Sequence, residues 1–105
     1  MSTYAIVYTT MPSVDEAKKL ARHLVKERLA ACVNIHENWT SVYEWEGEIL
    51  EENEAVLLVQ TRVDMADKVM TDIRKHHTCD VASLYSMTVD KGDDAYMAWI
   101  DRHLL

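Results

Sequence analysis

Glycine and basic residues are scarce in this sequence, and each shortage argues against a class of site. Only two glycines are present, Gly47 and Gly92, so the chain cannot form the glycine-rich loop that cradles a nucleotide phosphate. The 11 Lys and Arg residues are outnumbered by 18 Asp and Glu residues, and the net charge of −7 argues against a nucleic-acid surface. A cationic partner or a metal ion suits this sign, although an acidic excess also serves solubility.

Cysteines and long apolar runs are equally scarce. The two cysteines, Cys32 and Cys79, are too few for a disulfide scaffold and lack the spacing of a zinc ribbon. No apolar run reaches the length of a membrane span, and the apolar residues 4–8 have neither the basic leader nor the cleavage site of a signal peptide. We therefore expect a soluble, cytoplasmic protein that binds neither membrane nor nucleic acid.

Motifs of the common enzyme classes are missing as well. The sequence contains no nucleophile elbow, P-loop, dinucleotide fingerprint or His-Glu-x-x-His motif, so we do not predict an enzyme. What is present is apolar material: 49% of the residues are hydrophobic, enough for one packed core. We expect a single domain that comprises residues 1–105.

The segment 30–61 is predicted to form two long strands joined by a tight turn at residues 46–48. Aromatic and β-branched residues alternate along its first arm, and Gly47 permits the positive φ of a hairpin turn. So small a domain cannot easily cover so long a hairpin. We therefore predict that Trp39, Tyr43 and Trp45, which share one face, are interface anchors between copies of the chain.

The remaining patterns place a strand or a helix on either side of this hairpin. Residues 3–10 read as a central strand buried on both faces, and residues 81–89 as a fourth strand. Ser13 with Glu16 has the spacing of a capping box for a helix that ends near Arg28. Asp64 is predicted to cap a second helix, which ends near residues 75–77, and Asp93 or Asp94 a last helix.

This order of elements predicts the fold. Strand, helix, strand, strand, helix, strand is two split βαβ units, which form a ferredoxin-like α+β sandwich with helices on one face of an antiparallel sheet. The hairpin extends this βαββαβ sandwich, and the last helix is a C-terminal addition.

The segment His76-His77-Thr78-Cys79-Asp80 is the best candidate for a metal site. Imidazole, thiolate and carboxylate are all metal ligands, and nitrogen with sulfur suits copper or zinc, so we select His76 and His77, with Cys79 as a candidate additional ligand. Adjacent helical residues point about 100° apart, so both imidazoles reach one ion only where the helix ends or several subunits contribute. The alternative is a helix end at which the two histidines serve packing and the helix dipole.

An acidic series along the hairpin is a second candidate. Its carboxylates could bind a hard cation if the tips of several copies converged, or they could form a solvated face that protects the sheet edge. The series consists of Glu44, Glu46, Glu48, Glu51, Glu52 and Glu54.

Several segments together resemble the CutA family of divalent-cation-tolerance proteins. These are LAACVNI (29–35), TSVYEWEGEI (40–49), an apolar strand ending in QTR (60–62), and a helix ending in the His pair. The resemblance runs from Tyr4 to about Trp99, and SVYEWEG is its most specific part. It implies a ferredoxin-like fold, a tight homotrimer, and a role in tolerance of divalent metal ions, with His76 and His77 in the metal site. We expect the protein to bind a divalent metal ion, with copper as the first candidate.

The chain departs from this family's pattern at two places. A loop cysteine that some members have after the first strand falls at Thr9, and the family's Pro-Tyr-Glu-Val-Pro-Glu is replaced by residues 78–83, TCDVAS. A second hypothesis rests on fold analogy alone: a regulatory or scaffolding trimer, like the PII signalling proteins, that binds a small molecule or an unidentified partner protein.

Overall fold

The computed structural model describes residues 3–105, so Met1 and Ser2 of the predicted domain lie outside the described residues. The order of elements is the predicted one, with a 3₁₀ turn at Val63–Met65 before the second helix. The elements are β1 (Tyr4–Met11), α1 (Val14–Lys26), β2 (Cys32–Trp45), β3 (Glu48–Arg62), α2 (Ala66–His76), β4 (Leu84–Thr88) and α3 (Asp94–Arg102).

The four strands form one antiparallel sheet in the order β2-β3-β1-β4. Helices α1 and α2 cover one face of this sheet, where Leu24, Leu57 and Ile73 are fully buried in a common core. This arrangement is the ferredoxin-like βαββαβ topology, so the predicted α+β fold is confirmed. None of the helices within residues 3–105 has the length and apolar character needed to cross a bilayer.

Strand β1 is central, as predicted, but only one of its faces is fully buried. Val7 and Thr9 have no exposed surface, whereas Ile6 and Tyr8, which point to the other face, are partly exposed. The predicted burial on both faces is therefore wrong for the single chain. The reason is that α3 covers only one end of this other face, where Tyr4 packs against a small cluster that includes Ile100 and Leu104.

The long hairpin is confirmed and projects from the body of the molecule. Trp45 pairs with Glu48, so the turn has two residues, Glu46 (φ 50°) and Gly47 (φ 85°), which matches a type I′ turn. A bulge between His36 and Trp39 shifts the register of β2. The radius of gyration is 14.3 Å, against about 13 Å expected for a compact chain of this length.

The structure confirms two predicted helix caps and corrects a third. The Ser13 hydroxyl accepts a hydrogen bond from the Glu16 amide at 3.2 Å, and the Asp93 carboxylate accepts one from the Tyr96 amide at 3.1 Å. Asp64 does not cap α2: it lies in the 3₁₀ turn, and its carboxylate accepts from Arg62 Nε at 3.0 Å. Because the 3₁₀ turn makes Met65 the N-cap residue of α2, the helix begins without a side-chain cap.

Strand β4 is shorter than the predicted 81–89. It pairs only with residues 5–9 of β1, and Val81 is largely exposed. The ladder ends next to Thr10, whose carbonyl accepts a hydrogen bond from the ring of His77. The chain before β4 is therefore tied to β1 by a side chain and not by strand pairing.

Candidate metal centre

His76 meets two potential metal ligands between α1 and α2. Its ring centroid lies 4.5 Å from that of His23, and His23 Nε2 lies 2.7 Å from Asp72 Oδ2. One ligand atom from each of His23, Asp72 and His76 falls within 4.8 Å of the other two. We call these three residues the His-Asp-His cluster; within residues 3–105 no other trio of His, Cys, Asp or Glu side chains is grouped so closely.

Helix periodicity explains how the cluster forms. Leu20 and Leu24 bury the inner face of α1, and Val69 and Ile73 bury that of α2. His23 follows Leu20 by three positions, while Asp72 and His76 follow Val69 and Ile73 by three, which places all three on the flanks of the apolar faces. When two such helices pack side by side, their flanking residues meet.

Hydrogen bonding selects the tautomer of His76. Its Nδ1 lies 2.9 Å from the backbone carbonyl of Asp72, an acceptor, so Nδ1 carries the proton and the neutral ring has its lone pair on Nε2. Metal-binding histidines are commonly oriented in this way by a carbonyl on the other ring nitrogen. The side chains of His23, Asp72 and His76 are 33%, 22% and 46% exposed, so an ion in solution can reach them.

His77 faces a different part of the structure. Its Nε2 donates to the Thr10 carbonyl at 2.7 Å, and its Nδ1 accepts from the Cys79 amide at 3.2 Å. Both ring nitrogens are thus used within the chain. The backbone leaves the helix at His77, where ψ is 137°, and this turns the ring towards β1. The structure therefore does not bring the two predicted histidines together.

Cys79 lies on the exposed segment after α2 and is not part of the cluster. Burial raises the pKa of its thiol, and the carboxylates of Glu54 and Glu52 raise it further. The thiolate form that binds metals is therefore disfavoured in the metal-free chain.

Thr9, the position of the family's cysteine, lies inside β1 and not in the loop that follows it. Its side chain is fully buried, and its hydroxyl has no hydrogen-bond partner among residues 3–105. A ligand at this position would therefore face the core on the helix side of the sheet.

The three predicted interface anchors share one face of the hairpin. Trp39, Tyr43 and Trp45 are 46%, 37% and 42% exposed, which is a large apolar surface for a two-stranded projection. The register places Glu54, Leu50 and Glu48 opposite them, and the Tyr43 hydroxyl donates to Glu52. The acidic series is split between the two faces, since Glu44 and Glu51 lie on the other one.

A cleft leads to the His-Asp-His cluster. It has a volume of about 270 Å³, and His23 and His76 both line it, together with Met11, Glu16, Lys19, Leu20 and Thr78. Neither His23 nor Asp72 was predicted from the sequence as a metal ligand. The Asp72–His76 spacing of i, i+4 was a detectable signal, but the contribution of His23 depends on which faces of α1 and α2 meet.

Comparisons with known proteins agree with the fold. The model of the CutA1 divalent ion tolerance protein family matches residues 5–103. The divalent-cation tolerance protein CutA of Thermus thermophilus is 37% identical over 95 residues, which cover 90% of this chain and 92% of that protein. The crystal structure of CutA1 from Oryza sativa matches with a TM-score of 0.95 at 31% identity, over 99% of this chain and 95% of that chain.

A plant relative is longer than this chain. The chloroplastic protein CutA of Arabidopsis thaliana is 37% identical over 95 residues, which cover 90% of this chain and 52% of that protein. The chain therefore spans about half the length of this curated relative.

The fold is that of a small α+β protein with a projecting hairpin, and the comparisons place it in the class of divalent ion tolerance proteins. The chain belongs to the CutA1 divalent ion tolerance protein family. The Thermus thermophilus relative is named as a divalent-cation tolerance protein, and neither its name nor that of the Arabidopsis relative is that of an enzyme.

Proposed function

We propose that this protein binds a divalent transition-metal ion, copper first, and acts in the cell's tolerance of such ions without catalysing a reaction. The observation that carries the proposal is the position of His76, whose ring centroid lies 4.5 Å from that of His23 and whose Nδ1 lies 3.8 Å from Asp72 Oδ2. Imidazole nitrogens suit copper and zinc, and the net charge of −7 favours a cationic ligand. The names of the relatives support the same conclusion.

Within this proposal His76 is the principal ligand, and His77 and Cys79 remain predicted ligands. His77 would have to release the Thr10 carbonyl or the Cys79 amide before it could bind an ion. Cys79 would have to lose its thiol proton to the metal. Both steps cost free energy that His76 does not require.

The proposed assembly is a homotrimer. The exposed stripe of Trp39, Tyr43 and Trp45 supports it, because aromatic residues are enriched at protein interfaces. Strands β2 and β4 are the two edges of the sheet, and their unpaired backbone groups can also join chains.

A cytoplasmic location is part of the proposal, although the Arabidopsis relative is named as chloroplastic. The regulatory or scaffolding alternative stays a prediction that no contact among residues 3–105 favours.

A calorimetric titration tests the function. The tag-free protein is titrated with Cu²⁺ and Zn²⁺ beside a His76→Ala variant, and light scattering reports the mass of both. We expect saturable binding by the wild type, a strong loss in the variant, and an unchanged trimer in each. Absence of saturable binding by the wild type would overturn the proposal.

A further inference from the structure

We infer that His23, Asp72 and His76 form a three-ligand site for a divalent first-row transition ion. This inference rests on the proposed function and names the ligand set for it. The site would join α1 to α2 and use two residues outside the predicted His76-His77-Cys79 set. It would not use His77, whose ring nitrogens bond Thr10 and Cys79.

The distances within the cluster are close to those that an ion requires. A tetrahedral ion with nitrogen and oxygen ligands at about 2.1 Å separates those atoms by roughly 3.4 Å. One ligand atom of each residue lies within 4.8 Å of the other two. His23 Nε2 is 2.7 Å from Asp72 Oδ2, and His76 Nδ1 is 3.8 Å from the same oxygen. For Nε2 to bind the ion while Nδ1 keeps the Asp72 carbonyl, the His76 ring must direct Nε2 towards His23 Nε2 and Asp72 Oδ2.

Each ligand is held in a suitable state by the fold. The Asp72 carbonyl accepts from His76 Nδ1, which keeps the ring oriented and leaves Nε2 for the metal. His23 Nε2 shares a proton with the Asp72 carboxylate, and a bound ion would replace that proton. His76 is the last residue of α2, where the negative end of the helix dipole favours a cation.

The donor set defines the class of ion. Two imidazoles and one carboxylate suit zinc, copper, nickel and ferrous iron, whereas magnesium and calcium prefer oxygen ligands alone. Among divalent ions the general order of affinity places Cu²⁺ first. Because His23 and His76 line the cleft beside Glu16 and Thr78, the remaining coordination positions would be open to water.

The test measures metal affinity in variants of the tag-free chain. His23→Gln, Asp72→Asn and His76→Gln each remove one ligand, while His77→Gln removes the neighbouring predicted ligand. His103→Gln is a matched control, because His103 Nδ1 also contacts the carbonyl four residues earlier, Trp99 O, at 2.8 Å. Zn²⁺ binding is measured by calorimetry and Co²⁺ binding by the ligand-field absorption of the ion. Circular dichroism of each variant verifies the fold.

We expect each of the three ligand variants to weaken Zn²⁺ binding by at least about 10–100-fold, the loss that an outer-shell change alone produces. The Co²⁺ absorption bands should disappear in the same three variants and persist in the His77→Gln and His103→Gln variants. Mg²⁺ and Ca²⁺ should not compete.

Two other outcomes overturn the inference, and they can be told apart. In the first outcome, the His77→Gln variant loses Zn²⁺ affinity while the His23→Gln and Asp72→Asn variants keep it. The metal site would then lie elsewhere in the chain, and the proposed function would stand. A wild-type protein that binds none of the ions saturably would remove both.

Discussion

His76 and His77 are neighbours in the chain, but their rings serve different parts of the fold. His76 Nδ1 bonds the Asp72 carbonyl within α2, at 2.9 Å, whereas His77 Nε2 bonds the Thr10 carbonyl of β1, at 2.7 Å. The helix ends between them, because His77 has an extended ψ of 137°. The two histidines look like one site in the sequence, but His76 lies where α1 and α2 pack together and His77 lies at the end of β1.

This division predicts different effects of the two alanine variants on stability. Without metal, His77→Ala should lower the free energy of unfolding by about 1–2 kcal/mol, because two hydrogen bonds that tie the segment before β4 are lost. His76→Ala should cost about 0.5 kcal/mol or less, since the ring is partly exposed and its hydrogen bond lies within its own helix. Urea denaturation at fixed protein concentration measures both. Equal losses would contradict the assignment.

A metal ion bound between α1 and α2 should stabilise the fold against heat. An ion that binds only the folded chain contributes about 2.7 kcal/mol at one hundred times its dissociation constant. For a chain of this size that corresponds to a rise in Tm of about 10 °C. Differential scanning calorimetry with and without Zn²⁺ measures the rise. The His23→Gln variant should lose it, and a rise that survives in that variant would contradict a site shared with α1.

Two buried threonines should respond in opposite ways to the same substitution. Thr9 and Thr61 are both fully buried. In the described part of the chain the Thr9 hydroxyl has no hydrogen-bond partner, whereas the Thr61 hydroxyl donates to the Leu29 carbonyl at 2.9 Å. Thr9→Val should therefore raise the free energy of unfolding by about 1 kcal/mol, and Thr61→Val should lower it by about 1–2 kcal/mol. Denaturation curves of the two variants, measured in parallel, check the signs.

The hairpin turn should be improved by a residue that tolerates positive φ. Glu46 has a φ of 50°, which is unfavourable for a residue with a long side chain. Glu46→Asn would create the Asn-Gly pair preferred in type I′ turns and should stabilise the chain by about 0.5–1 kcal/mol. Gly47→Ala is the opposing variant: an added Cβ meets nothing within 4 Å, so its loss of about 1 kcal/mol would be backbone strain alone. Thermal unfolding of both variants checks the prediction.

The exposed stripe of Trp39, Tyr43 and Trp45 should be required for the proposed trimer to form. Replacing Trp39 and Trp45 together by Ala should convert the proposed trimer to a monomer, because each buried interface tryptophan contributes about 2 kcal/mol or more. Light scattering coupled to size-exclusion chromatography measures the mass. The matched control is Val42→Ala with Ile49→Ala, which removes two apolar side chains from the other face of the same hairpin. A trimer that survives in the tryptophan variant would show that the stripe is not the interface.

The sequence predicted elements well wherever the local signal was strong. The hairpin has period-two alternation and a single glycine at its turn, and both depend only on neighbouring residues. Ser13 and Asp93 cap their helices because each side chain accepts a hydrogen bond from the amide three residues later, so no distant partner is needed. Asp64 does not cap α2 because a 3₁₀ turn precedes the helix and makes Met65 its N-cap residue, so the Asp64 carboxylate accepts from Arg62 instead. Periodicity does not report this turn.

For this protein the sequence alone determined the order of elements, the α+β class and the family, because these follow from periodicity, turn chemistry and matched segments. Tertiary structure decided the candidate site. His23 and Asp72 are 49 positions apart, and only the packing of α1 on α2 brings His23 Nε2 within 2.7 Å of Asp72 Oδ2. It also decided that His77 turns to Thr10, since the ring direction is set by where α2 ends beside β1. Contacts of this kind depend on which surfaces meet, and residue spacing along one helix does not contain that information.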